Sequence, residues 1–321
     1  MLHAPNRVDP RIVSIGIHIP ARRVSNADKL AAFGLEPDFL RKKLGIFARA
    51  EKDAAEDTSD LCVKAFGDLV TRANVVLGDV EFCCVVTQNP DRNVPHTAAI
   101  VHEKLGLSRR CMTFDISQGC AGFVHAIALA SAHMERFGLH EALVFTCDPY
   151  SKIVDPNDKG TALIFGDAAT VTLLRRDGAG YSVVDANFGT EPATTSCLHT
   201  GNKTLTMDGA AVLFHATHQV PDSIRSLLEK NHLTTNEVDL FLLHPGSKRV
   251  VDMIQKALGV ESSKVPFEIA EIGNTVSSSI PLVLQQHVDQ KKHKLLLLSG
   301  FGVGFSWGTC LLRLQQAEEG R

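Results

Sequence analysis

Neither sign of charge dominates this sequence: 33 lysines and arginines stand against 36 aspartates and glutamates, a formal net of −3. A chain so balanced has no global basic field to hold nucleic acid or an anionic membrane surface. Any anionic ligand must be held by local groups. Long apolar runs are missing as well. The best stretch, residues 295–314, is broken by Ser299, four glycines and Ser306, so nothing approaches the roughly 18 apolar residues of a bilayer span. The opening residues, 1–20, mix His3, Asn6, Arg7, Asp9 and Arg11 among their apolar ones and carry no unbroken apolar core of a secretory signal. A cytoplasmic protein is the expectation. Cys62, Cys83, Cys84, Cys111, Cys120, Cys147, Cys197 and Cys310 follow no disulfide-framework spacing, and none forms a CxxC pair. There is no HExxH, and His215 with His218, the lone His-x-x-His, has no partners nearby in sequence. Reduced thiols and no protein-held metal follow as expectations. With 44% hydrophobic and 21% charged residues, the composition is that of a compact globular chain rather than a disordered or fibrous one.

What is present is an ordered alternation of apolar runs. A strand over residues 12–17 precedes a helix near 59–73, a β-rich run at 80–87 and a helix near 97–105. A strand at 112–116, a small-residue helix over 120–137, a strand at 142–146 and a last run at 161–174 complete this half. Strands and helices in that order predict an α/β protein with a largely parallel sheet covered on both faces. Beyond a stretch rich in glycine, threonine and proline, residues 176–206, the order returns. Helices are expected at 210–230, 247–258 and 275–288, and strands at 238–244, 265–269, 294–299 and 305–314. The chain reads as duplicated at the level of elements, with halves at 1–175 and 207–321 and a connecting segment at 176–206. In each half the third of these helices opens with small residues: Ala121, Gly122, Ala126 and Ala128 in one, Ser277, Ser278 and Ser279 in the other. Small side chains let buried helices approach, which predicts two halves packed about a central helix pair whose N-termini share a crevice.

Four features carry chemistry. Cys120 lies in Asp115-Ile-Ser-Gln-Gly-Cys-Ala-Gly-Phe123, where a buried strand turns into a helix. A thiol there sits on the positive end of the helix dipole, a term of about 0.3–1 kcal/mol in favour of thiolate at an exposed site. Gly119 and Gly122 free the turn to present it, as in a nucleophile elbow. The segment alone leaves open a small buried core cysteine, which is also the reading for Cys83 and Cys84. His244 ends an apolar strand and is followed by Pro245-Gly246, which delivers it to the crevice where α/β sheets bind ligands. A hydrogen-bonded structural histidine is the alternative. Asn274, in Glu271-Ile-Gly-Asn-Thr-Val-Ser-Ser-Ser279, occupies in the second half the place of Cys120 in the first. It also suits a helix N-cap, and the two roles are compatible. A nucleophile, a proton-handling donor and a neutral amide donor suit acyl transfer followed by stabilisation of an enolate oxygen. Finally, the glycine-rich turn over residues 300–308 could aim backbone N–H groups into the crevice. It lies between strands with no helix after it, so it is not a phosphate loop.

Taken in order, these residues resemble the thiolase superfamily and, within it, the β-ketoacyl-ACP synthase III family of initiating condensing enzymes. The resemblance covers essentially the whole chain. It shows in Gly119-Cys120-Ala121-Gly122-Phe123, in Asp155 to Asp158 with Gly160-Thr161-Ala162-Leu163-Ile164-Phe165-Gly166-Asp167-Ala168, in His244, in Gly273-Asn274-Thr275, and in the turn from Gly302 to Gly308. It implies a thiolase-like duplicated fold of five α-β-α-β-α layers with mixed sheets. The family's catalytic cysteine, histidine and asparagine fall on Cys120, His244 and Asn274, and an oxyanion hole falls on the N–H groups of Cys120, Val303 and Gly304. A ping-pong condensation is implied, with no metal or redox cofactor. Its substrates are an acyl-CoA and malonyl-ACP or malonyl-CoA; acyl carrier protein and a second copy of the chain are the partners. Phe39, at the position that stacks on the CoA adenine, Lys43, Met207, Gly209, Ser247, Lys248 and Arg249 are the implied substrate contacts, with Lys256 nearby.

Two departures bear on the substrate. Where the family usually has His-Gln-Ala-Asn, this chain has His244-Pro245-Gly246-Ser247, so a hydroxyl replaces an amide; Pro-Gly after the histidine resembles the plant-type polyketide synthases. Where many initiating synthases carry Phe-Pro at a loop reaching into the partner's acyl pocket, this chain has Val94-Pro95, a smaller wall that would admit a longer or branched acyl group. Two alternatives stand beside a decarboxylating synthase: a non-decarboxylating acyltransferase of the same fold in a specialised pathway, and a catalytically silent subunit of a synthase heterodimer.

Overall fold

The structure, a computed structural model, describes residues 9–201 and 204–317. The first eight residues, part of the stretch read above for a leader, lie outside the described ones. In chain order the strands are β1 (Arg11–His18), β2 (Arg22–Ser25), β3 (Ala48–Glu51), β4 (Phe82–Val86), β5 (Met112–Ile116), β6 (Glu141–Cys147) and β7 (Ala169–Arg175). They continue as β8 (Gly180–Thr190), β9 (Leu198–Gly201), β10 (Thr204–Met207), β11 (Leu240–Leu243), β12 (Leu295–Gly302) and β13 (Ser306–Gln315). The helices are α1 (Pro37–Phe39), which runs on into a wider turn at Leu40–Leu44, α2 (Thr58–Arg72), α3 (Thr97–Leu105), α4 (Gly122–Phe137), α5 (Gly209–Lys230), α6 (Lys248–Leu258) and α7 (Ser279–Gln290). Among the described residues no helix is long and apolar enough to cross a membrane.

Nine strands form one sheet in the order β5-β4-β6-β7-β1-β8-β13-β12-β11. The duplication is legible in that order: β4-β6-β7-β1 on one side is matched by β11-β12-β13-β8 on the other. The sheet is mixed rather than largely parallel, since among the described residues only β4/β5, β4/β6 and β11/β12 of its strand pairs run parallel. The reason lies in the connections. A parallel neighbour needs a crossover helix, whereas β12 returns as β13 through the tight turn Val303–Phe305, and no α-helix stands between β6 and β7.

Three further expectations are corrected. Residues 265–269, the counterpart of β5, form no strand; Pro266 removes a ladder donor there, and Ile269 packs instead with Leu30, Leu40, Leu44 and Ile46. The segment 176–206 is no simple connector, because it contains β8, which pairs with β1 and β13, and the hairpin β9/β10. Of the run 161–174, only the part from Ala169 is strand.

Alternation along the strands sorts side chains into layers. Phe82, Cys84 and Val86 of β4 and Leu296 and Leu298 of β12 face one central cluster with Phe123, Ile127 and Met134 of α4 and Ile280, Leu284 and Val288 of α7. The intervening Cys83 and Val85 face α2 and α3, through Leu61, Leu69 and Val101. Leu295 and Leu297 face α5 and α6, through Ile224 and Ile254. The result is α2/α3, half-sheet, α4/α7, half-sheet, α5/α6: five layers with the helix pair in the middle. Each fully buried leucine contributes about 1.5–3 kcal/mol. Leu298→Ala, against the central pair, should cost about 2–5 kcal/mol. Urea unfolding will read this as a lowered midpoint with an unchanged slope.

Candidate active site

Cys120 sits in the turn between β5 and α4. Gln118 N–H donates to Ile116 O (3.0 Å) and Gly122 N–H to Gly119 O (2.8 Å), which closes the turn before the helix begins. Strand β12 passes directly against this turn. A Cβ at Gly300 would stand 2.6 Å from Cys120 O and 2.8 Å from Ala121 Cα, and one at Gly302 would stand 3.0 Å from Cys120 Sγ. Only glycine allows the approach. The thiol is 5% exposed. Burial pushes its pKa up and the nearby Asp148 carboxylate adds to the rise, against a lowering backbone hydrogen bond. The helix-end effect expected to favour thiolate is outweighed, because desolvation of an anion costs more than one helix terminus returns.

His244 leaves the end of β11 with its N–H donating to Ser299 O (2.8 Å). Its ring stands edge-on to Phe301, centroids 5.6 Å apart. Burial depresses its pKa to about 3, so the imidazole is neutral at physiological pH. Nδ1 has no partner among the described residues.

Asn274 is fixed by the stretch that precedes β7. Its N–H donates to Ile164 O (2.8 Å), and its O accepts from Gly166 N–H (3.0 Å). At Gly166 any Cβ would collide with Ile272 O. This is what residues 161–166 do in place of the expected strand. The Oδ1 atom accepts from Val276 N–H (2.8 Å) and Ser279 Oγ (3.4 Å), a cap-like role at the start of α7. With Oδ1 engaged, Nδ2 is the atom left facing His244 Nε2, at 3.3 Å. The capping role and the donor role are thus served by different atoms of one side chain.

Asp148 lies close behind, fully buried. Its Oδ1 accepts from Gln88 N–H (2.6 Å) and its Oδ2 from Ser277 Oγ (2.5 Å). Burial raises this carboxyl to about 6 despite those donors. The sequence reading missed it.

Cys120, His244 and Asn274 line one cavity of about 410 Å³, largely apolar in its walls. Phe39, Lys43, Met207, Gly209, Ser247 and Arg249 line it too. Val94 and Lys248 do not. Val94 is 82% exposed, and Lys248 Nζ donates to Asp252 (3.0 Å). Neither Val303 nor Gly304 lines the cavity; Gly302 does. Val303 packs in the cluster that holds Cys120, and Gly304 O accepts from Thr194 Oγ1 (2.8 Å). Ser247 Oγ accepts from Val250 N–H (3.4 Å) as the N-cap of α6, so the hydroxyl that replaces the usual amide already has a partner. Lys159, Leu163, Phe165, Leu198 and Phe301 also line the cavity and were not read from the sequence. Leu198 starts a four-residue strand, too short for its alternation to stand out.

A buried thiol from one half of a duplicated fold, set with an imidazole and an amide from the other half on one apolar cavity, defines a thiolase-like condensing acyltransferase. Family profiles agree: residues 114–192 match 3-oxoacyl-[acyl-carrier-protein] synthase III, and residues 228–314 match its C-terminal part. The chain is 32% identical to the β-ketoacyl-ACP synthase III of Streptococcus gordonii, over 95% of this chain and 99% of that one. It is 31% identical to that of Neisseria gonorrhoeae, over 94% and 98%. The crystal structure of the β-ketoacyl-ACP synthase III of Thermus thermophilus superposes with a TM-score of 0.89 at 29% identity, over 96% of this chain and all of that one. The chain belongs to the β-ketoacyl-ACP synthase III family.

The buried imidazole gives a prediction with a definite sign. Its folded pKa lies below the unfolded value of about 6.5, so its contribution to stability is present above pH 6.5 and lost as pH falls toward 3. The stability of the wild type minus that of His244→Gln should decline by up to about 1.4 kcal/mol per pH unit across that window. Urea unfolding at several pH values measures it; a difference that stays flat would mean the folded protein binds the proton.

Proposed function

We propose that this protein joins an acyl group held on Cys120 to a malonyl thioester by decarboxylative Claisen condensation, in the initiating step of fatty-acid synthesis. The observation that carries the reading is the convergence of two donor atoms, His244 Nε2 and Asn274 Nδ2, 3.3 Å apart on the cavity that Cys120 shares. In the first half-reaction the Cys120 sulfur attacks the carbonyl of an acyl-CoA. The carbon–sulfur bond to CoA breaks, and the thiol proton ends on the departing CoA sulfur. Because burial holds the thiol protonated, that proton transfer accompanies attack rather than preceding it. The backbone N–H of Cys120 is the donor placed to meet the transient oxyanion, since Val303 and Gly304 lie off the cavity.

In the second half-reaction a malonyl thioester enters. Its carbon–carbon bond to the carboxylate breaks, CO₂ leaves, and the electron pair delocalises onto the thioester oxygen. Neutral His244, in its Nε2–H tautomer, and the Asn274 amide donate to that oxygen. In a dry, fixed site such donors stabilise developing charge without reorganising. The carbanion carbon then attacks the acyl carbonyl, and the Cys120 sulfur leaves and regains a proton. The charge that develops is met by N–H donors in this scheme, with the CoA and carrier thioesters as substrates and no resident cofactor. Lys43 and Arg249, exposed at the mouth, suit CoA phosphates or an acidic carrier protein. A cytoplasmic homodimer is the setting this reading favours. The outer edge of β5 is unpaired among the described residues, and exposed Met112 lies on it.

Intact-mass analysis after incubation with acyl-CoA should show an acyl adduct on the wild type that is absent from Cys120→Ala. Asn274→Ala should keep that adduct while condensation with malonyl thioester falls by about 10²–10³-fold. Equal loss of both half-reactions in the folded variant would remove the donor role. Sedimentation velocity at micromolar concentration should give the mass of two chains, and a single-chain mass would remove the dimer.

A further inference from the structure

Two residues after Asn274 the backbone is strained. Val276 has a φ of 55°, in the left-handed region, where a β-branched residue is a rare and unfavourable occupant. It is fully buried in the turn that leads into α7, in the cluster that holds Cys120, Tyr150 and Phe165. Such a conformation persists only where its surroundings impose it. On one side the Val276 N–H donates to Asn274 Oδ1 (2.8 Å). On the other, the next residue, Ser277, donates its hydroxyl to Asp148 Oδ2 (2.5 Å).

Asp148 belongs to the opposite half of the chain, directly after β6, and is fully buried. Its other oxygen accepts from Gln88 N–H (2.6 Å), so the carboxyl is itself pinned. Burial lifts it only to about 6, which leaves it ionised at about pH 7.5 and able only to accept. The neighbouring Ser278 Oγ is hydrogen-bonded to Thr146 Oγ1 (2.9 Å), which anchors the start of α7 independently. If Asp148 let go, the freedom gained would therefore concentrate at Val276. The consequence falls on the Asn274 amide. Ser279 Oγ reaches Oδ1 only at 3.4 Å, so the Val276 N–H decides which end of that amide faces the cavity. An amide turned over would aim an acceptor, not a donor, at the enolate oxygen.

We propose that Asp148 is a positioning residue for condensation: through Ser277 it holds Val276 in its strained turn, and the Val276 N–H thereby keeps Asn274 Nδ2 aimed at the thioester oxygen. Asp148 is not part of the cavity lining and acts only through this relay. The first half-reaction, which uses Cys120 and not Asn274, depends on it less.

The proposal rests on the donor role given above to Asn274, and its test separates the two. Acetylation of Cys120 by acetyl-CoA is followed by intact mass, and condensation of the acetylated enzyme with malonyl-ACP by release of CO₂. Both are measured at about pH 7.5 for the wild type, Ser277→Ala, Asp148→Asn and Asp148→Ala. Ser277→Ala and Asp148→Ala should slow condensation relative to acetylation by about 10–100-fold, short of the 10²–10³-fold of a donor lost outright. The fall should lie in kcat rather than in the KM for malonyl-ACP. Asp148→Asn should stand between the wild type and Asp148→Ala, because its oxygen keeps the Gln88 N–H and its amide N–H can donate to Ser277 Oγ. Ser277→Ala removes a single hydroxyl and serves if the Asp148 variants fail to fold. In an Asn274→Ala background Ser277→Ala should bring no further loss of condensation, whereas a merely structural effect would repeat its full factor. A ratio of half-reactions unmoved in Ser277→Ala, or the same loss with and without Asn274, would overturn this proposal alone. Condensation that withstands Asn274→Ala would overturn the donor role and this proposal with it.

Discussion

The approach of β12 to the turn carrying Cys120 is the contact on which the site depends. The two surfaces come from opposite halves of the duplicated chain, and they meet at backbone distance because Gly300 and Gly302 present no side chains there. One added carbon at Gly302 would press on the thiol itself. The same strand, through Ser299 O, holds the backbone of His244. A single run of β12 therefore sets the nucleophile and the imidazole against each other, and packing of the central helices fixes where that run lies.

Desolvation then decides what each group is. At the seam, burial keeps the thiol protonated, keeps His244 neutral and raises Asp148. All three shifts disfavour charge on the protein, which suits a reaction that creates negative charge transiently on a substrate oxygen rather than holding it permanently on the protein. The site spends no free charge of its own; it supplies N–H dipoles that are already aimed.

Much of this was legible in the sequence, and the parts that were not share a cause. Helix α3 and strand β5 fall on the residues expected for them, since their patterns are local. Cys120, His244 and Asn274 could be singled out because each stands at the end of a local pattern: a strand entering a glycine-flanked turn, a strand stopped by Pro245-Gly246, a cap before a serine run. Strand direction was not legible, because it depends on whether a crossover helix or a tight return joins two strands. Strand β8 went unrecognised, since its stretch reads by composition as a connector. The protonation of Cys120 was misjudged in direction, because a helix terminus is visible in sequence while burial is the sum of neighbours far along the chain. Lys248, which the family resemblance sets beside Arg249 as a substrate contact, turns along α6 to Asp252 instead.

The loss of a fifth strand from only one of the two repeats has an architectural consequence. At one margin of the nine-stranded sheet β5 is open; at the other, all four residues of β11 are buried. A molecule with two free margins could add copies at both and grow into a filament. With only the β5 margin exposed, a further strand has one place to add rather than two, so the two repeats differ in what they present to solvent.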